Sequence, residues 1–335
     1  MNNIPLFDLH VHYGGAIPVE TIYDIIDKEK HGILNIEQLR QMMTYEGDYG
    51  PYEFEKFLRK FDILNDIAWD ENKIDICTKS MISMLAKQSI KYAEVRFSIN
   101  KYIPYLRMPH KDIILLLCSM LHKYGQQMAI CVVPILSLRY ESDKVTQYSI
   151  AKLIDNAEVC DAVAGIDLIG DEQFFDADFF ASIFHGWRTA GKGLLAHVGE
   201  SRSAENVKLA IEKLKIHRIS HGIRAADHPD ILALAKDHNV AFDVALTSNV
   251  LTGVINNIHG HPIIKLLDAG CDVSIGTDDP VILNTTLEHE YEIAQNIIGL
   301  SQETIAKMKL TAIRRAFIKQ DIANYTNNTI YKSAK

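Results

Sequence analysis

Eight short apolar, strand-like runs punctuate this 335-residue chain, and stretches with helical spacing lie between most of them. The runs cover residues 6–11, 92–97, 128–136, 162–169, 193–197, 217–220, 240–244 and 272–275. The stretches 150–159, 177–190, 204–213, 229–236 and 261–268 instead place apolar residues three to four apart. Ser203 before Ala204, and the dipeptides His228-Pro229 and His261-Pro262, supply helix starts. Strand–helix alternation implies a parallel sheet, since a parallel crossover needs a dozen or more residues to bring the chain back. Eight repeats predict an α/β fold of the closed (β/α)8 TIM-barrel type. An open doubly wound sheet is the rival. It commonly carries G-x-G-x-x-G after its first strand, and none follows Val11.

One connection is too long for a simple crossover. Between residues 15 and 90 the pattern predicts three or four helices, at about 19–29, 36–43, 52–65 and 72–88. A second domain would need its own core and a linker, and no Pro/Gly/Ser-rich linker is visible. The expectation is one domain over 1–335, with a helical insertion roofing the barrel mouth and excluding water from the chemistry there. The net charge of −8, with no clustered Lys or Arg, argues against a nucleic-acid partner, because phosphate binding needs a basic face. No run of 18 apolar residues exists to span a membrane, and the first residues carry no signal-peptide pattern. Five scattered cysteines without a C-x-x-C pair suit a reducing compartment, so a cytoplasmic protein is expected. Nothing in the sequence sets the oligomeric state.

The ends of the apolar runs carry the chemistry. His10 and His12 lie two apart, so on a strand both rings point to one face. His197 closes another run, with Glu200 just beyond it, and Asp278-Asp279 follow the last. Singly, each has a plainer explanation: His197 as a satisfied core histidine, Asp278 and Asp279 as a turn or helix cap before Pro280. Jointly, three imidazoles and a carboxylate at strand ends form the nitrogen and oxygen donor set that zinc accepts, with room for a water. A carboxylate left over beside such an ion is a candidate proton carrier.

These blocks, with others, resemble the adenosine deaminase family. Residues Phe7-Asp8-Leu9-His10-Val11-His12 resemble its opening. Phe57-Leu58-Arg59-Lys60-Phe61-Asp62, Ala93-Glu94-Val95-Arg96-Phe97-Ser98 and Asp167-Leu168-Ile169-Gly170-Asp171-Glu172 follow in order. His197-Val198-Gly199-Glu200, Arg218-Ile219-Ser220-His221-Gly222, Thr247-Ser248-Asn249 and Thr277-Asp278-Asp279-Pro280 complete the set, so the resemblance runs from about residue 4 to 320. It implies a zinc-dependent hydrolase of the EC 3.5.4 class that removes the 6-amino group of adenosine or 2′-deoxyadenosine, in purine salvage. It also implies one Zn2+ per chain on His10, His12, His197 and Asp278. Glu200 would protonate the purine at N1, and His221 would orient the attacking water and help deprotonate it. Asp279 would meet N7, and the backbone N–H of Gly170 would meet N3. The implied partner is a small-molecule purine nucleoside. The Cys-ligated zinc deaminases of flipped bases are excluded, because they need P-C-x-x-C.

One departure bears on specificity. After His12 the family usually reads Leu-Asp-Gly, the Asp gripping the ribose 5′-hydroxyl, whereas this chain reads Tyr13-Gly14-Gly15. A site without that acceptor should discriminate less for a free 5′-hydroxyl. Gly14 therefore opens an alternative: a related aminopurine such as a 5′-substituted adenosine, an aminofutalosine-like compound or free adenine. Tyr13 is a possible substitute donor. The family's adenine deaminases tend to carry Glu where Gly14 sits.

Overall fold

A computed structural model describes residues 4–45 and 54–317. The remainder of the range 1–335, including the start of the stretch 52–65, lies outside the described residues. All eight predicted strands are present: β1 (Leu6–His12), β2 (Ile90–Phe97), β3 (Cys131–Arg139), β4 (Gly165–Ile169), β5 (Gly193–Val198), β6 (Arg218–His221), β7 (Ala241–Val244) and β8 (Val273–Ile275). They pair in sequence order, each parallel to the next. The last joins the first through Asp278, whose N–H donates to the His10 carbonyl at 2.7 Å and whose carbonyl accepts from His12 N–H at 2.8 Å. Just before it, the Thr277 hydroxyl donates to the buried Asp8 carboxylate at 2.6 Å. The sheet closes into the (β/α)8 barrel.

Its interior is layered. Arg96 on β2 reaches across to Asp167 on β4 at 2.6 Å, to Ser220 on β6 at 3.1 Å and to the Leu9 carbonyl at 2.8 Å. Side chains from alternate strands meeting in one layer are characteristic of such barrels. A buried guanidinium is tolerable here because its donors are met. At the opposite end Phe7, Leu9, Tyr92, Ile135 and Leu195 pack with Ala312, from the last described helix, Gln302–Arg315. Polar chemistry therefore has one open face, the C-terminal one.

Among the described residues five α-helices separate β1 from β2: α1 (Val19–Ile25), α2 (Ile36–Met43), α3 (Phe54–Arg59), α4 (Asp62–Asn65) and α5 (Glu71–Lys87). The first ends four residues before the predicted boundary at 29, because Asp27, Lys28, Glu29 and Lys30 offer no apolar face. The predicted 52–65 helix is two short ones that turn at Lys60-Phe61, which brings the Phe57 and Phe61 rings edge to face, centroids 5.5 Å apart. No described helix is long and apolar enough to cross a membrane, and none of the five cysteines is in a disulfide.

Candidate active site

The barrel brings every candidate chemistry-bearing side chain to that open face. His10 and His12 end β1, His197 nears the end of β5, His221 ends β6, and Glu200 and Asp278 follow β5 and β8. His221 and Asp278 both hold left-handed backbone, φ +65° and +63°. Non-glycine residues in that region are strained, and such strain collects where the surroundings fix a functional side chain.

Four donor atoms converge. His197 Nε2 lies 3.1 Å from both His10 Nε2 and His12 Nε2, while Asp278 Oδ1 lies 3.3 Å and 3.1 Å from those two nitrogens. Ordinary hydrogen bonding does not explain this set. His197 Nδ1 faces the Leu168 carbonyl at 3.0 Å, so its hydrogen is there and Nε2 presents a bare lone pair to two other imidazoles. Nitrogen and oxygen ligands about 2.0–2.1 Å from a tetrahedral ion stand about 3.3 Å apart, so the cluster has the spacing of a zinc shell. The Leu168 contact also fixes the tautomer, as outer partners of ligating histidines do. Burial lowers the pKa of His10 and of His12, keeping both rings neutral. Burial pushes the Asp278 carboxyl up, but the facing His10 and His12 outweigh it and hold it well below the carboxylate range. His221 also comes within 4.8 Å of His10, His197 and Asp278 through one ring nitrogen. That nitrogen stands 3.8 Å from Asp278, against 3.1 Å for His12, so His12 belongs to the donor set and His221 stands beside it.

The His221 proton can be placed from the far end of a buried chain. The Ile263 N–H donates to His261 Nδ1 at 3.1 Å, and burial drives the His261 pKa down to about 3, so the ring is neutral with its hydrogen on Nε2. That hydrogen meets Asn249 Oδ1 at 3.2 Å, and Asn249 Nδ2 in turn donates to His221 Nδ1 at 3.0 Å. The remaining His221 hydrogen is on Nε2, 3.6 Å from Glu200 Oε1. It aims into the gap between Glu200 and the donor cluster. This pattern lets His221 donate to a water there. It does not leave the bare nitrogen that helping to deprotonate the water would need.

Glu200 is 6% exposed, and burial, then the Asp278 and Glu172 charges, raise its pKa well above the ordinary value. Its loop is clamped by Glu172, which accepts from the N–H groups of Gly199, Glu200 and Arg202 at 2.6, 3.2 and 3.1 Å. Neither Glu172 nor the Asn249–His261 pair has a role that sequence reasoning assigned. Glu172 and Asn249 sit inside recognisable motifs, and His261-Pro262 reads only as a helix start.

A family model described as adenosine deaminase matches residues 5–333. The chain belongs to the adenosine deaminase family. It is a hydrolytic deaminase. The adenosine deaminase of Proteus mirabilis is 30% identical over 328 residues, covering 95% of each chain. Two solved structures share the fold. The adenine deaminase of Arthrobacter aurescens has TM-score 0.85 and 19% identity, covering 98% of this chain and 99% of its own. The N6-methyl-AMP deaminase of Arabidopsis thaliana has TM-score 0.83 and 20% identity, covering 99% and 97%.

In this adenosine deaminase family member a cavity of about 120 Å3 lies over the cluster, lined by Gly170, Glu200, His221 and Asp279, with Phe57, Leu58 and Phe61 of the insertion across from them. Asp279 is buried and its Oδ1 has no hydrogen-bond partner among the described residues. Burial and the neighbouring Asp278 charge raise its pKa well above normal, which favours the form that can donate a proton. Gly15 makes space for it, since a Cβ there would collide with the Asp279 carboxyl. Gly15→Ala is therefore expected to retain metal yet lose about 10–100-fold in kcat/KM, the worth of one displaced hydrogen bond of on the order of 1–3 kcal/mol. Unchanged kcat/KM would show that Asp279 does not contact substrate.

Tyr13 does not serve as the substitute donor that its position suggested. Its hydroxyl is buried against Thr78 at 2.7 Å and the Ile74 carbonyl at 3.2 Å, both on α5. A Cβ at Gly14 would have ordinary room, 3.5 Å from Leu64 and 3.7 Å from Phe61. Neither residue therefore presents a polar side-chain group to the cavity.

Proposed function

We propose that this enzyme hydrolyses the C6 amine of an adenine nucleoside, adenosine or 2′-deoxyadenosine in the simplest case, with one zinc held by His10, His12, His197 and Asp278. The observation that carries the reading is a buried Glu200, its pKa raised, 3.6 Å from His221 Nε2 beside four converging donor atoms that could hold a metal. A zinc ion held there would supply the means of lowering the pKa of water towards about 7, so that a hydroxide nucleophile is available at neutral pH. The chain supplies the rest. Asp279 donates to N7 and the Gly170 N–H to N3, which turns C6 towards the cluster. His221 donates its Nε2 hydrogen to the attacking oxygen and fixes its direction. Glu200 delivers its proton to N1 as the C6–O bond forms. The attacking water gives up one proton to solvent before it adds; the Glu200 carboxylate then relays the adduct's hydroxyl proton to the amine, which leaves as ammonia as the carbonyl forms, and a proton taken back from solvent restores the acid.

A second reading, a 5′-substituted adenosine, is favoured by the room at Gly14. Ammonia release by the zinc-loaded protein should be followed with adenosine, 2′-deoxyadenosine, 5′-deoxyadenosine, 5′-methylthioadenosine and adenine. The nucleosides are expected to react. The 5′-altered ones should keep at least about a tenth of the adenosine kcat/KM, a difference under about 1.4 kcal/mol, since no carboxylate is stranded by their missing hydroxyl. No ammonia from any purine would overturn the assignment, and a thousandfold rejection of both 5′-altered substrates would restore the strict nucleoside reading.

A further inference from the structure

With C6 turned to the metal cluster, N9 and whatever it carries lie at the far end of the purine and project towards the mouth. There a second chamber of about 410 Å3 opens, sharing His12, Phe61, Asn65, Arg139 and Ile169 with the reaction cavity. Gly14 and Lys101 are part of its wall.

The charges in this chamber do not balance. Arg139 is matched by Glu141, and Arg96 by Asp167. Lys101 has no such partner among the described residues. It is half-buried, and its Nζ lies over the faces of Trp69, Tyr102 and Tyr13, 5.1, 5.1 and 5.6 Å from their centroids. Ring faces favour a cation but do not neutralise it. Burial lowers the Lys101 pKa to about 8, which leaves it mostly charged at neutral pH. The same Nζ stands 3.5 Å from where a Cβ on Gly14 would be. An acid at position 14 would be the internal counter-charge, and glycine leaves that place open. Asn65 and the second amide hydrogen of Asn100 on the same wall offer further hydrogen bonds.

We infer that this chamber receives an oxyanion carried on the 5′ carbon, a phosphate or a carboxylate, so that the preferred substrate is an adenine nucleoside with an anionic 5′ group held by Lys101. The inference rests on the C6-deaminase reading above and narrows it. Plain adenosine becomes the lesser substrate, leaving the ammonium without its partner. A charged group left buried and unpaired is disfavoured, whereas an oxyanion there gains a charge-assisted bond.

The test compares kcat/KM for adenosine, adenosine 5′-monophosphate and adenosine 5′-carboxylic acid in the native enzyme, in Lys101→Met and in Gly14→Asp. The native enzyme is expected to prefer at least one of the anions over adenosine by about tenfold or more, the phosphate and carboxylate arms deciding which. Lys101→Met should cut that ratio by about 10–100-fold, mainly through KM, with zinc content unchanged. Gly14→Asp, which sets a carboxylate against Nζ, should turn the preference back towards adenosine. Equal or better use of adenosine by the native enzyme, or a ratio indifferent to Lys101→Met, would overturn the proposal. If no compound releases ammonia, the deaminase reading has failed instead. Calorimetric binding of adenosine 5′-monophosphate would then decide the chamber, supporting it if binding is lost in Lys101→Met and sinking it if native and variant bind alike.

Discussion

Asp278→Ala and His10→Ala are expected to give folded protein with neither bound metal nor detectable deamination. His10 and Asp278 each supply one of the four converging donors, and those donors stand only 3.1–3.3 Å apart. Removing one opens a shell whose other members are rigidly placed, and the loss reaches the chemistry directly. Without the ion the pKa of water rises from about 7 back to its bulk value, a difference of more than eight orders of magnitude in hydroxide availability. Alanine at position 278 must adopt the left-handed backbone that Asp278 holds, costing roughly 1–2 kcal/mol, so folding should be checked by circular dichroism alongside metal analysis. One metal ion per chain in purified Asp278→Ala would remove this residue from the site.

Glu200→Gln is expected to leave metal content and nucleoside binding intact while lowering kcat about 10²–10⁴-fold, the range of a general acid. The amide keeps the shape and can still donate a hydrogen bond to N1, but cannot release a proton to it. Burial next to Asp278 and Glu172 raises the pKa of the native carboxyl and favours its acid form, and the Glu172 clamp on the loop backbone is untouched by the substitution. The separation of kcat from KM is therefore the informative result. A loss under about tenfold would mean that another group protonates N1.

The fold was legible because each strand is an apolar run too short for a helix, placed between helical patterns. The strand ends were less so. The third strand runs Cys131–Arg139 and not 128–136. Ala129 turns at φ +53° and the Ile130 N–H is used by the preceding helix, whereas the less apolar Ser137-Leu138-Arg139 continue the ladder with β4. The same truncation affects β1, which includes His12. Barrel strands become polar where they reach the functional face, so apolar patterning underestimates them there. For that reason, too, the candidate ligands stood out at the ends of runs. What supports them was hidden. Glu172 clamps backbone N–H groups 27 to 30 positions away, and Asn249 joins His221 to His261 from a different connection. No local pattern marks a hydrogen bond to a distant backbone, and no pattern reveals that Tyr13 points its hydroxyl into α5.

The closure through Asp278 ties the cofactor to the life of the whole chain. Among the described residues the first and last strands are joined by two backbone hydrogen bonds, both made by a residue that also offers its side chain to the metal. An ion that binds only the closed form adds its binding free energy to closure, about 4.1 kcal/mol at a thousandfold excess over its Kd. A chain that has not acquired its metal therefore holds its barrel shut less firmly at this one place. Opening there frees two strand edges, the feature most prone to pair with other chains. Metal-free protein is therefore expected to melt at a lower temperature and to aggregate more readily than protein supplied with metal.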